Sequence, residues 1–170
     1  MPKIISCAKE DIIAEAKRQA SENGYSNLSI KSIASACGVA VGTIYNYFPS
    51  KDMLVASFIL SDWLEVLGKI EKELDENNIK GIEGIRLIYD ELVEFNESYK
   101  FIFCDRATVW KPRYNMPDRH KLLKEQIAAL ITKTSGADED AADFIAENLL
   151  SYSVEETKFD KIEKFIKKLI

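Results

Sequence analysis

Seven consecutive residues, Val41-Gly42-Thr43-Ile44-Tyr45-Asn46-Tyr47, carry side chains suited to recognition rather than to making and breaking bonds. Val39, Ile44 and Phe48 supply an inward side for a short helix, Ile44 and Phe48 at helical spacing. Val41, Gly42, Thr43, Tyr45, Asn46 and Tyr47 are then left to point outward, fully or partly. That outward set has no charge, one glycine, two tyrosines, and otherwise small or hydrogen-bonding side chains. A helix face that met only water would ordinarily carry Lys and Glu, so the set reads as a contact face. The competing reading packs the tyrosines on a neighbouring helix and uses Gly42 for close approach.

Other chemistry is thinly represented. Carboxylates abound but fall on solvated faces, and no nucleophile–base set or phosphate loop is present in the sequence. Cys7, Cys37 and Cys104 are odd in number and widely spaced, which fits neither a metal knuckle nor a disulfide framework. They read as buried or incidental thiols. His120 has no second imidazole or thiolate at ligand spacing, so no metal site, no cofactor and no enzymatic activity are expected.

Two helices must position the contact face. Ile30, Ile33, Ala34 and Cys37 recur at i, i+3, i+4, i+7, the apolar face of a helix just over two turns long. Ser29 is placed to cap it, and Gly38 to end it in the left-handed conformation. The second helix, bearing the contact face, stops at Phe48 because Pro49 biases its predecessor away from helical angles. Ser50 can then cap a further helix starting at Lys51. Two short helices across a glycine turn form the skeleton of a helix-turn-helix, whose second helix enters the major groove.

The run from Gly38 to Lys51, G-V-A-V-G-T-I-Y-N-Y-F-P-S-K, resembles the recognition signature of the TetR family of transcriptional regulators, G-V-S-x-G-T-x-Y-x-[HY]-F-x-S-K. The preceding S-I-K-S-I-A, with Ile12, Ile13, Ala16, Gly24 and Tyr25, agrees with the helices before it, so the resemblance covers roughly residues 9–55. It implies a repressor that binds a near-palindromic operator in double-stranded DNA as a homodimer, and leaves it when a small-molecule effector binds the C-terminal body. Two heads would then enter major grooves about 34–36 Å apart, or a multiple of that turn. Carried over position by position, Thr43, Tyr45, Tyr47 and Lys51, with Ser29, would hold phosphates, and Lys31 a base or phosphate. Asn46 would pair with an adenine edge and Val41 with a thymine methyl. Two residues depart from the family pattern. Ala40 replaces the serine that starts the recognition helix, a cap loss of about 1 kcal/mol, so binding is expected to be weaker or differently aligned. Ala20 stands where phenylalanine is usual, leaving Tyr25 or a fourth-helix residue to fill the small core.

Composition bounds the rest. The chain has 170 residues, 46% hydrophobic and 30% charged, with seven glycines and four prolines. Clear period-2 stretches are absent, so the expected fold is all-α: a three-helix DNA-binding head at 1–49 joined to a helical effector-binding and dimerisation body at 50–170. No apolar run reaches membrane-span length and no leader is evident, which places the protein in the cytoplasm, with no membrane partner. The net charge of −5 is uneven: residues 1–50 hold five Lys/Arg against four Asp/Glu, and residues 51–170 hold 18 against 24. That is a weak electrostatic footprint for a DNA binder, so specific placement must compensate, with Lys3, Lys31 and Lys51 on the DNA side.

In the body, helices are expected at 51–76, from about 79 to 96, 98–109, 118–134, 138–152 and 156–169. In the fourth, Leu54, Phe58, Leu60, Trp63, Leu64, Leu67, Ile70 and Leu74 spread over more than one face, as in a helix buried among several partners. In the seventh, Leu122, Leu123, Ile127, Leu130 and Ile131 are expected inward. Trp63, Tyr89, Phe103, Trp110, Tyr114 and Met116 are the candidate lining of an effector pocket between helices four to seven. By the family resemblance the last two helices form the dimer interface, through Ile145, Leu149, Phe159, Ile162 and Ile166; intramolecular burial is the competing reading. The lysines of the last helix read as solvating charges near a helix C-terminus. A DNA-binding module controlled by a protein partner, with a closed body, is the other functional reading.

Overall fold

The computed structural model describes residues 8–103 and 119–170. Among them are nine helices and no strand: α1 (Ala8–Asn27), α2 (Ile30–Cys37), α3 (Val41–Tyr47), α4 (Lys51–Glu76), α5 (Gly81–Ser98), α6 (Lys100–Phe103), α7 (Arg119–Ser135), α8 (Glu139–Val154) and α9 (Asp160–Ile166). No helix among the described residues is long and apolar enough to cross a membrane. Lys3, Cys7 and Cys104, and the expected course of the sixth helix to Val109, lie outside the described residues.

The chain divides into two compact units. The described residues of the first run over 8–63 and 99–103, and those of the second over 64–98 and 119–170. The division falls within α4, so the first unit holds more than a three-helix head.

In the first unit, α1 is interrupted at Gly24, whose φ of 76° and ψ of 164° leave the helical region and turn the chain toward α2. Ile12, Ala16 and Ala20 line the inner side of α1, fully buried against Ile33 and Ile44 of the same unit's core. Tyr25, just past the break, is buried as well, and supplies the ring that Ala20 does not. Tyr99 closes this core from the start of α6: it is 1% exposed, stacks on Phe58 at 6.2 Å and donates its hydroxyl to Asp62, which also pairs with Lys17.

In the second unit, α5, α7 and α8 pack on one another, with Ile85, Ile88, Leu92, Ile127, Ile131, Ala142, Ile145 and Leu149 in the core. Polar ties also join helices of this unit. Lys69 pairs with the largely buried Glu91 at 2.6 Å, and Arg86 holds Asp160 and Glu163 at 2.9 and 3.0 Å while stacking on the Phe159 ring at 4.6 Å. Glu156 takes the left-handed conformation, φ 53°, where a glycine would ordinarily end α8.

The α5–α7 crossing is tight at Gly84. A Cβ there would lie 2.0 Å from the hydroxyl oxygen of buried Thr134, which donates to the Ile79 carbonyl at 3.0 Å. Gly84→Ala should therefore destabilise the second unit by about 1–3 kcal/mol, the usual effect of overpacking, despite alanine's better helix propensity. A urea titration followed by circular dichroism checks this; an unchanged midpoint would mean that the two helices part freely.

Several apolar side chains expected inward are not. Leu60 and Leu64 of α4 and Leu122 of α7 are about half exposed, and Leu169 is 40% exposed. α9 is also shorter than the stripe from 156 to 169 suggested. α4 is thus buried at Leu54, Phe58, Trp63, Ile70 and Leu74 and open at Leu60 and Leu64.

Candidate nucleic-acid interface

Local chemistry builds the helix-turn-helix as its residues dictate. Ser29 accepts from the Ser32 N–H at 3.4 Å at the start of α2. Gly38, at φ 65° and ψ 28°, ends it, with the Val39 N–H reaching back to the Ala34 carbonyl at 3.0 Å and its own N–H to Ser35 at 3.3 Å. Ala40 is extended and provides no side-chain cap for α3. Phe48 is extended before Pro49, and Ser50 accepts from the Met53 N–H at 3.1 Å to start α4.

Ile44 and Phe48 are buried, at 0% and 4% exposed, and fasten α3 to the unit's core. The opposite side of α3 is open. Tyr45 and Tyr47 are 48% and 45% exposed, Val41, Gly42 and Asn46 are exposed, and Thr43 is half-buried. A Cβ at Gly42 would meet nothing within 4 Å. Neither part of the competing reading is met among the described residues: the tyrosines are about half exposed and the glycine faces no neighbouring helix there.

Glycine inside a helix is unfavourable relative to alanine, and no contact among the described residues requires Gly42. Gly42→Ala is expected to stabilise the free protein by roughly 0.5–1 kcal/mol while weakening its binding to duplex DNA, because the added methyl stands on the contact face. Thermal melting together with fluorescence anisotropy on labelled duplex measures both; weakened folding would place the reason for Gly42 inside the chain.

Around α3 the charges are sparse and partly committed. Ser29 and Lys31 are exposed and share a shallow hollow with Ser32 and Ser35, which follow Ser29 at three-residue steps along α2. That serine repeat was visible in the sequence. Arg18 borders the hollow but is held by Glu15 and Glu22 at 2.7 Å. The hydrogen bond from Arg18 in turn holds the Glu15 carboxyl down at about 2. Lys51 points into the protein: its Nζ donates to the Tyr25 carbonyl at 3.0 Å and sits 4.2 Å from the Tyr25 ring centre. Asp52 accepts from the Tyr25 hydroxyl, and burial, reinforced by that bond, pushes the Tyr25 phenol well above its usual range.

Of the residues expected for effector binding, the structure describes the side chains of Trp63 and Tyr89. Trp63 is buried in the first unit. Tyr89 is buried in the second, its hydroxyl donating toward the backbone carbonyls of Thr157 and Tyr152 where α8 gives way to α9. Phe103 ends α6, and Trp110, Tyr114 and Met116 lie outside the described residues. A groove of about 490 Å³ runs beside Tyr89 in the second unit, open to solvent and edged by Arg86, Asp90, Glu94 and Lys158.

The five residues expected at a dimer interface face the chain's own core. Ile145, Leu149, Phe159, Ile162 and Ile166 are 7% exposed or less in the single chain. On the same two helices the apolar side chains left in solvent are Phe144, Val154 and Phe165, between 59% and 69% exposed. Among the described residues no group of His, Cys, Asp and Glu is arranged to hold a metal ion.

Residues 12–58 match the model of the bacterial regulatory proteins of the TetR family. The HTH-type transcriptional regulator UidR of Escherichia coli K12 is 34% identical over 83 residues, 49% of this chain and 38% of that protein. The HTH-type transcriptional repressor KstR2 of Mycobacterium tuberculosis is 22% identical over 122 residues, 69% of this chain and 61% of that protein. These matches thus span less than two thirds of either relative. Among solved structures, a TetR transcriptional regulator from Legionella pneumophila aligns with a TM-score of 0.59 at 19% identity, over 99% of this chain and 100% of that one. FadR from Bacillus subtilis, solved in complex with stearoyl-CoA, aligns with the same score at 18% identity, over 94% of this chain and 96% of that one. At these identities the two structures establish the fold.

Proposed function

Because the chain belongs to the TetR family of bacterial regulatory proteins, we propose that it represses transcription by seating α3 in the major groove of an operator. It does so as a homodimer in the cytoplasm, and a small molecule bound by its C-terminal part releases it. The observation that carries this reading is the open side of α3: five uncharged residues, two of them half-exposed tyrosines, with a glycine that nothing among the described residues approaches. In the groove, Thr43, Tyr45 and Tyr47 hold phosphates with Ser29, and Val41 and Asn46 meet base edges. Lys31 adds a cation at the same side. Hydroxyl donors carry much of the phosphate contact here, in keeping with the small excess of positive charge in residues 1–50.

Dimerisation brings two heads to a near-palindrome. The proposed interface is the exposed apolar side of α8 and α9, anchored by Phe144 and Phe165, rather than the residues buried beneath it. In a two-fold pairing each α8 can face the partner's α9. The effector class is suggested only broadly by FadR, which has this fold and was solved with an acyl-CoA. Ligand acts by favouring a conformation that misses the operator, since only differential affinity shifts an equilibrium.

The test is selection. Purified protein is mixed with genomic fragments at low salt, and the retarded DNA is sequenced. Enrichment of one inverted repeat supports the reading and gives the operator, whose neighbouring genes supply effectors to try. If no fragment is enriched and the protein sediments as a monomer, the reading fails.

A further inference from the structure

Lys51 occupies the position where the family resemblance implies a phosphate contact, yet its ammonium is engaged inside the first unit. It donates to the Tyr25 carbonyl at 3.0 Å and lies over the Tyr25 ring at 4.2 Å, while the next residue, Asp52, accepts from the Tyr25 hydroxyl. One buried tyrosine is thus gripped from its backbone, its face and its tip by the first turn of α4. Tyr25 follows the break at Gly24 that redirects α1 toward α2, and α4 follows α3 after only Phe48, Pro49 and Ser50. The grip therefore ties the α1–α2 junction to the exit of α3.

We infer that Lys51 and Asp52 are positioning residues, which set the pose of α3 by clasping Tyr25, and that Lys51 neutralises no DNA phosphate. This rests on the DNA-binding reading above and refines which residues act in it. A cation spent on a carbonyl and an aromatic face has less to offer a phosphate, and a loosened clasp lets α3 move as a body relative to α2. Binding then weakens without any loss of a counterion-releasing contact.

Salt dependence separates the two roles. Each protein–phosphate ion contact contributes about 0.9 to the slope of log affinity against log salt. With the selected operator, dissociation constants are measured by anisotropy from about 50 to 200 mM salt, for wild-type protein and for Lys51→Met and Asp52→Ala, each verified as folded by circular dichroism. The clasp predicts an affinity loss of about tenfold for Lys51→Met, the scale of a lost cation–aromatic contact and charged hydrogen bond, with the slope unchanged. Asp52→Ala, which removes both the charge and the acceptor for the Tyr25 hydroxyl, gives a second arm of opposite electrostatic sign. Removing a negative charge beside DNA strengthens binding if charge alone matters, whereas the clasp predicts weakening. A slope lowered by about 1.8 in Lys51→Met, about 0.9 for each protomer of the dimer, or Asp52→Ala binding as well as or better than wild type, overturns the inference. If the wild-type protein binds no duplex at all, the regulator reading itself fails and this inference with it; a fall in slope with wild-type binding intact removes only the clasp.

Discussion

Tyr45→Ala is expected to abolish operator retardation at protein concentrations that saturate the wild type, while leaving the thermal melt within experimental scatter. The side chain is 48% exposed on α3, so its removal uncovers little core, and such surface changes ordinarily stay within about 0.5 kcal/mol of wild type. In the proposed complex the hydroxyl would donate to a phosphate and the ring would pack along the backbone of the duplex. A hydrogen bond to a charged group contributes about 1.5 kcal/mol or more, and a dimer makes it twice, so the affinity falls on the order of 100-fold. The loss should be uniform across sequences, because phosphates carry no base information. Asn46→Ala makes the informative comparison: it alters preference at one base pair per half-site, by about 1–3 kcal/mol. Anisotropy titrations on the operator and on operators changed one pair at a time distinguish the two. Equal binding by Tyr45→Ala and wild type would remove α3 from the interface.

The second large effect is expected at the opposite end of the chain. Phe165→Glu should convert the protein to a monomer, seen as a halved mass in sedimentation velocity, with its helical content kept. Phe165 is 66% exposed in the single chain, so the free subunit accommodates a carboxylate there. In the assembled dimer that carboxylate would be buried without a partner, a penalty of several kcal/mol. Loss of the dimer separates the two heads, and the effective concentration that one bound head confers on the other disappears; operator affinity then drops by roughly two to four orders of magnitude. Ile162→Ala, one layer beneath, should behave differently. It opens a cavity in the second unit and lowers its stability by about 2–5 kcal/mol, with dimerisation affected only through unfolding. A Phe165→Glu protein that remains dimeric would place the interface on another surface, with the exposed Leu122 of α7 the next position to change.

The sequence by itself determined the head. The glycine at 38, the cap at 29, the proline at 49 and the three–four spacing of Ile30, Ile33, Ala34, Ile44 and Phe48 are local signals. The helices they set are too short to have more than one plausible inner side. The outward set of α3 followed by subtraction. Composition and period likewise gave the all-helical body and most of its breaks, at Asn77–Asn78, Gly136 and the stretch after Tyr152.

Tertiary structure alone decided which apolar residues of the body turn inward, because periodicity defines a face but not what covers it. α4 is apolar around much of its girth, and only packing shows Ile70 and Leu74 buried with Leu60 and Leu64 in solvent. The striped faces of α8 and α9 could equally have met a second subunit or their own chain. They meet their own chain, through Ile145, Leu149, Phe159, Ile162 and Ile166, and leave Phe144 and Phe165 outside. Lys51 shows the same limit for a charged group. A motif fixes its place in the chain, but its partner, Tyr25, lies 26 residues away and is brought to it only by the fold. Local hydrogen bonding and spacing are written residue by residue, whereas the choice among burial partners is made between segments that the sequence does not place side by side.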